Sequence, residues 1–171
     1  NTILSRPLSF FEYYLSQMMG YKLITTAFSL MVPLIASIVF ELPVNYFRIP
    51  GALVLIIYYL VLVHMMSFLI SIIGFYLTRV RSFTLLKNLT LMLLSGELVP
   101  IDLMPNYLEK ILLSLPFSSG VYIPLAYLSG RGDDRLLQQG FINVTYGILI
   151  MGISCFIFWK RGVREYTGTG A

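Results

Sequence analysis

The stretch FTLLKNLTLMLLSGELVPIDLMPNYLEKILLSLPFSSGVYIPLAYL (Phe83–Leu128) decides how this chain folds. Its apolar runs are interrupted by Lys87, Gly96-Glu97, Pro100, Asp102, Pro105, Pro116, Gly120 and Pro124, so it does not read as two ordinary membrane-crossing helices. The runs around it are cleaner. Residues 23–42, 52–77 and 141–159 each approach the roughly 20 apolar residues that span a bilayer core of about 30 Å. Trp159 stands at an interfacial position, followed by Lys160-Arg161. A fourth span is expected over 84–104.

Composition agrees with lipid as the solvent. The 171 residues are 57% hydrophobic and 12% charged, against roughly 45–50% and 25% in a soluble domain. A chain this size has one core and would have to display the excess Leu, Ile, Phe and Met to water. One cysteine (Cys155) and one histidine (His64) exclude disulfide frameworks, Cys/His metal clusters and Cys-His nucleophile pairs. The chain begins at Asn1 with no signal-peptide pattern, and is expected to lack its natural start.

Charge asymmetry sets the expected topology. Arg6, Lys22, Arg79, Arg81, Lys87, Lys160, Arg161 and Arg164 fall on one side, and Arg48, Lys110, Arg131 and Arg135 with most of the acids on the other. The positive-inside rule places the first group in the cytoplasm, which requires an even number of crossings. The segment 105–128 must then enter and leave by the outer face as a re-entrant helical hairpin. A full crossing by that segment is the alternative, and would put Lys160–Arg164 outside. Irregular backbone at membrane depth needs protein or a water-filled cavity around it, so a protein-lined cleft or a partner subunit is implied. The expected fold is an all-α integral membrane protein with four transmembrane helices, the hairpin, an N-terminal cytoplasmic amphipathic helix over 1–20 and a cytoplasmic tail over 160–171.

Two groups of residues invite a functional reading. Ser9 and Glu12 form a capping box that starts a helix on the membrane surface. That helix is either an anchor or a docking element for a soluble partner. Along the second span His64, Ser67, Ser71, Gly74 and Thr78 recur every three or four residues and share one face. Such faces ordinarily let helices approach and hydrogen-bond, while an ionisable group in the membrane also suggests contact with substrate or protons. Thr26, Ser29, Pro33 and Ser37, and Asn143, Gly147 and Ser154, make fainter stripes. Arg131-Gly132-Asp133 reads as a polar turn. Asn88-Leu89-Thr90 and Asn143-Val144-Thr145 lie in or against spans, where no glycan fits. No phosphate-cradling glycine loop for ATP occurs, and no catalytic set converges.

The stretch Leu94-Ser-Gly-Glu-Leu-Val-Pro-Ile-Asp-Leu-Met-Pro105, the Leu115-Pro-Phe117 turn, Tyr122-Ile-Pro124 and the tail from Trp159 to Ala171 resemble the membrane (permease) subunit of ABC transporters of the type-2 export class, in its drug-resistance-like branch. Glu97 departs from the family pattern, which has an apolar or aromatic residue there. The resemblance covers essentially the whole chain and implies that two further spans lie upstream. It also implies an ATPase-docking helix carrying Arg6, Pro7, Ser9, Glu12 and Tyr13. A pathway face would hold His64, Ser67 and Ser71, and an outer gate Gly96, Glu97, Pro100, Pro105 and Pro116. The partners implied are a cytoplasmic ABC ATPase, which carries the ATP and Mg, and a second permease, identical or different. No cofactor is expected in this chain, and no nucleic acid. The expected role is outward movement of an amphiphilic, drug-like, lipid or glycan substrate across the bacterial cytoplasmic membrane, with both ends of the chain cytoplasmic. A secondary carrier that couples ions through His64 is the alternative.

Overall fold

The structure, a computed structural model, describes residues 24, 31, 35–74 and 80–165. It divides into two compact units, 1–44 and 45–171. The expected amphipathic helix over 1–20 lies outside the described residues, as do half of the span 23–42 and the end of the tail. In the first unit residues 24, 31 and 35–39 are helical. The helical stretch 35–39 stops before Pro43, whose preceding residue is sterically biased away from helical geometry. Glu41 adopts a left-handed conformation there (φ 47°).

Every regular element described in the second unit is helical. Helix α1 runs Ile49–Ile73 and α2 Arg81–Leu94; α3 is Asn106–Ser114, α4 Tyr122–Leu128 and α5 Asp134–Glu165. Single 3₁₀ segments occupy Tyr46–Arg48, Ile101–Leu103 and Pro116–Gly120. Among the described residues two helices, Tyr46–Ile73 and Asp134–Gly162, are long and apolar enough to cross a membrane. Their outward faces carry Val54, Ile57 and Leu60 on α1 and Leu149, Ile150, Ile153 and Phe156 on α5, all exposed. A helix in a water-soluble core would bury these side chains; a helix in lipid leaves them outside.

Both helices begin earlier than the sequence suggests. Pro50 sits in the first turn of α1, where its missing N–H costs nothing, so it opens the helix instead of bounding it. Upstream, Asn45 accepts a hydrogen bond from the Phe47 amide (3.1 Å) and caps the preceding 3₁₀ turn. Helix α5 starts at Asp134, seven residues before the expected 141, because the Asp133 carboxylate accepts from the Leu136 amide (3.0 Å), the bond of an N-cap. The Arg131-Gly132-Asp133 string is thus the turn leading into that cap.

Helices α1 and α5 lie side by side and run in the same direction. Gly51 faces Leu137, Leu55 faces Gly140, Leu62 faces Gly147 and Met65 faces Gly152. Small residues at these rungs let the two backbones approach, as in membrane helix pairs generally. Further along, the Cys155 thiol reaches the Met65 carbonyl (3.6 Å) and the Phe68 and Trp159 rings stack at 5.8 Å. Leu55, Tyr59, Leu62 and Val144 form the core with Ile123 of α4. Of the faint stripe expected at Asn143, Gly147 and Ser154, Gly147 is buried while Asn143 and Ser154 are half-buried beside the buried Val144 and Cys155; the buried line on α5 is Gly140, Val144, Gly147 and Cys155.

The chain between α2 and α5 makes a hairpin against this pair. Helix α2 has 14 residues, about 21 Å of helix. It ends at Leu94, so the second half of the expected span 84–104 is not continuous helix. Gly96 turns left-handed (φ 84°) directly after the Ser95 C-cap and packs against Ile101 and Tyr122. From Asp102 the chain passes through α3 to Leu113, whose carbonyl accepts from the Asn143 and Gln139 side chains (2.7 and 3.2 Å). Pro116 then lies against Gly147, about 20 Å along α5 from its start. The chain returns through Ser119, which donates to the Gly140 carbonyl (3.3 Å), to Leu128, which accepts from the Asn45 amide (2.8 Å) at the head of α1. Among the described residues no buried side-chain nitrogen or oxygen lacks a hydrogen-bond partner.

Gly120 sets the approach of this return limb, because a Cβ there would enter the ring of buried Tyr59. Gly120→Ala is expected to destabilise the protein by about 1–3 kcal/mol through overpacking, read as a lower thermal midpoint in mild detergent. Tyr59→Leu in the same chain should recover part of the loss.

Candidate functional site

At the shared starting end of α1 and α5 a polar cluster closes the hairpin. The Arg48 guanidinium donates through Nη1 to the Tyr127 and Gly132 carbonyls (3.0 and 2.8 Å), and lies over the Tyr127 ring at 4.8 Å. The Tyr127 hydroxyl donates to the Asp134 carboxylate (2.9 Å) in the first turn of α5, where the helix dipole also favours negative charge. Asp102 accepts from the Tyr122 hydroxyl and pairs with Arg131 (2.7 Å), whose Nε donates to the Ser129 hydroxyl (3.1 Å). The cluster thereby ties four chain segments together: the head of α1, the Ile101–Leu103 turn, α4 and the loop into α5.

Both phenols are held protonated. Burial, reinforced by the hydrogen bond from Tyr122 to Asp102, pushes the Tyr122 phenol up to about 12, with Arg131 opposing. The Asp134 hydrogen bond, then burial, raises Tyr127, with Arg48 opposing. A tyrosine raised above its unfolded value of about 10 contributes stability that is complete below that pH and lost as the pH climbs through the folded value.

The expected gate residues occupy the bends of the hairpin. Gly96 makes the left-handed turn, Glu97 and Pro100 are exposed, and Pro105 opens α3 by accepting from the Leu108 and Glu109 amides (2.8 and 3.1 Å). Pro116 opens the deepest 3₁₀ turn. These residues shape one segment of backbone and do not converge on a chemical centre. Of the expected pathway face, His64 is exposed on α1. The Ser67 hydroxyl donates to the Val63 carbonyl (3.0 Å) and accepts from Lys87 Nζ of α2 (2.7 Å), and Ser71 donates to the Ser67 carbonyl (3.0 Å). The middle of that face is therefore a helix contact, and its last member, Thr78, lies outside the described residues. Arg6, Pro7, Ser9, Glu12 and Tyr13 lie outside them too. Sequence reading missed the Arg48 lock, whose partners stand 79 and 84 residues away, and no local pattern announces it.

Two apolar helices long enough to cross a membrane, with exposed apolar outer faces and a glycine-lined contact between them, point to a membrane protein. A family model described as ABC-2 family transporter protein matches residues 1–170, and the chain belongs to that family as a permease component. No curated protein and no solved structure matches the chain.

The two arginines of the cluster should separate by energy. Arg131–Asp102 is largely exposed, a setting in which ion pairs contribute about 0–1 kcal/mol. Arg48 is half-buried and makes two charge-assisted bonds to carbonyls, in the range of roughly 1.5–3 kcal/mol each. Thermal unfolding in detergent should show Arg48→Ala lowering stability by about 3 kcal/mol or more and Arg131→Gln by under about 1 kcal/mol. Alkaline titration should show stability constant to about pH 10 and falling toward about 12, with the fall reduced in Tyr122→Phe.

Proposed function

We propose that this chain is the membrane half of an ATP-driven exporter that moves an amphiphilic, drug-like, lipid or glycan substrate outward. A cytoplasmic ATPase subunit supplies ATP and Mg chemistry, and a second permease, identical or different, completes the pathway. The assembly works in the bacterial cytoplasmic membrane with both ends of this chain on the cytoplasmic side.

The parallel course of α1 and α5 is the observation that carries this reading. Two helices running the same way put their far ends on one side, and those ends lead to Arg81 and to Lys160-Arg161. The other side, at their near ends, holds four Lys/Arg (Arg48, Lys110, Arg131 and Arg135) against the eight assigned to the far side, in keeping with the positive-inside rule. The hairpin that begins and ends at those near ends then acts as the re-entrant gate, bent at Gly96, Pro100, Pro105 and Pro116 with Glu97 at its exposed rim. Of the four spans proposed for this chain, α2 is the core of the third. Arg6, Pro7, Ser9, Glu12 and Tyr13 are the residues proposed to grip the ATPase, Glu12 offering a charged contact. His64, Ser67 and Ser71 face the pathway as it opens. Family membership favours a nucleotide-driven motor over ion coupling through His64.

Affinity purification of the tagged full-length permease in mild detergent should recover a nucleotide-binding partner. Glu12→Arg should lower transport about tenfold while the partner's basal hydrolysis persists, the signature of uncoupling. In a Cys155→Ala background, an impermeant thiol reagent should label Arg131→Cys, in the exposed loop before α5, from outside intact cells and leave Arg161→Cys unlabelled. Full transport without any nucleotide-binding partner, or the reverse labelling pattern, overturns the assignment.

A further inference from the structure

A groove of about 280 Å³ runs between α1 and α2 beside α5. Met66 and Ile70 of α1, Phe83 and Leu86 of α2 and Met151 of α5 line it, and the one charged group on it is Lys87. The volume falls just under the roughly 300–1,000 Å³ of sites that enclose a whole small molecule, so the groove suits a length of hydrocarbon chain. Its walls are otherwise apolar except for Thr90.

Lys87 gives the groove a sign. Its ammonium has three N–H donors, of which the Ser67 hydroxyl takes one (2.7 Å). No Asp or Glu occurs in 49–74, 80–94 or 135–162, the helical stretches that surround it. The ion pair found among the described residues, Arg131–Asp102, is at the opposite end of the unit. Lys87 is also half-buried against apolar side chains, where an uncompensated charge is costly and a counter-ion is favoured. Along α2 it lies about 9 Å from Arg81, a depth at which a long side chain reaches the boundary between lipid headgroups and chains.

We infer that this groove is a binding site for an anionic membrane phospholipid, with an acyl chain against Met66, Ile70, Phe83 and Met151 and the headgroup phosphate on Lys87. A zwitterionic lipid fills the same apolar surface but brings its own cation to the phosphate, so Lys87 discriminates by charge. Ser67 positions the ammonium and leaves its remaining donors for the phosphate. The site depends on membrane embedding and not on which substrate the transporter moves.

The test is native mass spectrometry of the full-length permease with whatever subunits co-purify, delipidated and titrated with phosphatidylglycerol and phosphatidylcholine of identical chains. The wild type should retain phosphatidylglycerol over phosphatidylcholine by about fivefold, the factor equivalent to the roughly 1 kcal/mol per basic residue at an anionic surface. Lys87→Gln should bring the two lipids to parity. Lys87→Arg should keep the preference and shows that the position tolerates change, while Arg81→Gln, which removes an exposed cation from the same helix, should leave it intact. No preference in the wild type, an undiminished preference in Lys87→Gln, or equal losses in Lys87→Gln and Arg81→Gln each overturns the site.

Discussion

A backbone broken by prolines must find partners for its polar groups within the protein, and the segment between α2 and α5 does so by lying on the glycine face of α5. At Gly140 and Gly147 the helix offers no side chain, so the return limb approaches close enough for Ser119 to donate to the Gly140 carbonyl and for Pro116 to rest on Gly147. Asn143, one turn from each, turns its amide to the Leu113 carbonyl at the tip of the hairpin. Larger residues at these positions would hold the limb away from α5 and cost it these contacts. The same glycines bring α1 against α5, so one run of small residues sets both the helix pair and the seat of the hairpin.

The polar end answers a different problem. Helix α4 is seven residues long and cannot be stable alone, since a helix that short hardly repays its nucleation. Arg48 holds it by bonding to the carbonyl of Tyr127, near its C-terminus, where a cation also meets the negative end of the helix dipole. Because the same guanidinium reaches Gly132 and stacks on the Tyr127 ring, one side chain fixes the head of α1, the end of α4 and the turn into α5. That arrangement places the cluster's energy in its half-buried arginine more than in its exposed ion pair.

Much of this was legible residue by residue. Pro105 and Pro116 open their helical segments where proline is tolerated, and Gly96 bends the chain where only glycine adopts the conformation easily. The long apolar runs marked α1 and α5. Their ends were less legible, because Pro50 reads equally as a stop before a helix or as its first turn, and because Asp133 reveals itself as a cap only once its carboxylate is seen on Leu136. Ser67 was visible as part of a polar face, but not Lys87 as the group opposite it. Contacts such as Arg48 to Gly132 join residues far apart in the chain and leave no periodic trace. The docking residues Arg6 to Tyr13 rest on the sequence alone.

Helix α2 stands apart in one respect: none of its residues is buried. The α1–α5 pair is stapled through Leu55, Leu62 and Val144, whereas α2 meets its neighbours through partly exposed side chains and ends at the left-handed joint of Gly96. A force delivered along α2 would therefore pivot it about that joint before deforming the stapled pair. The second unit is in this sense a stiff post with a jointed arm, and the arm is the segment that leads into the hairpin.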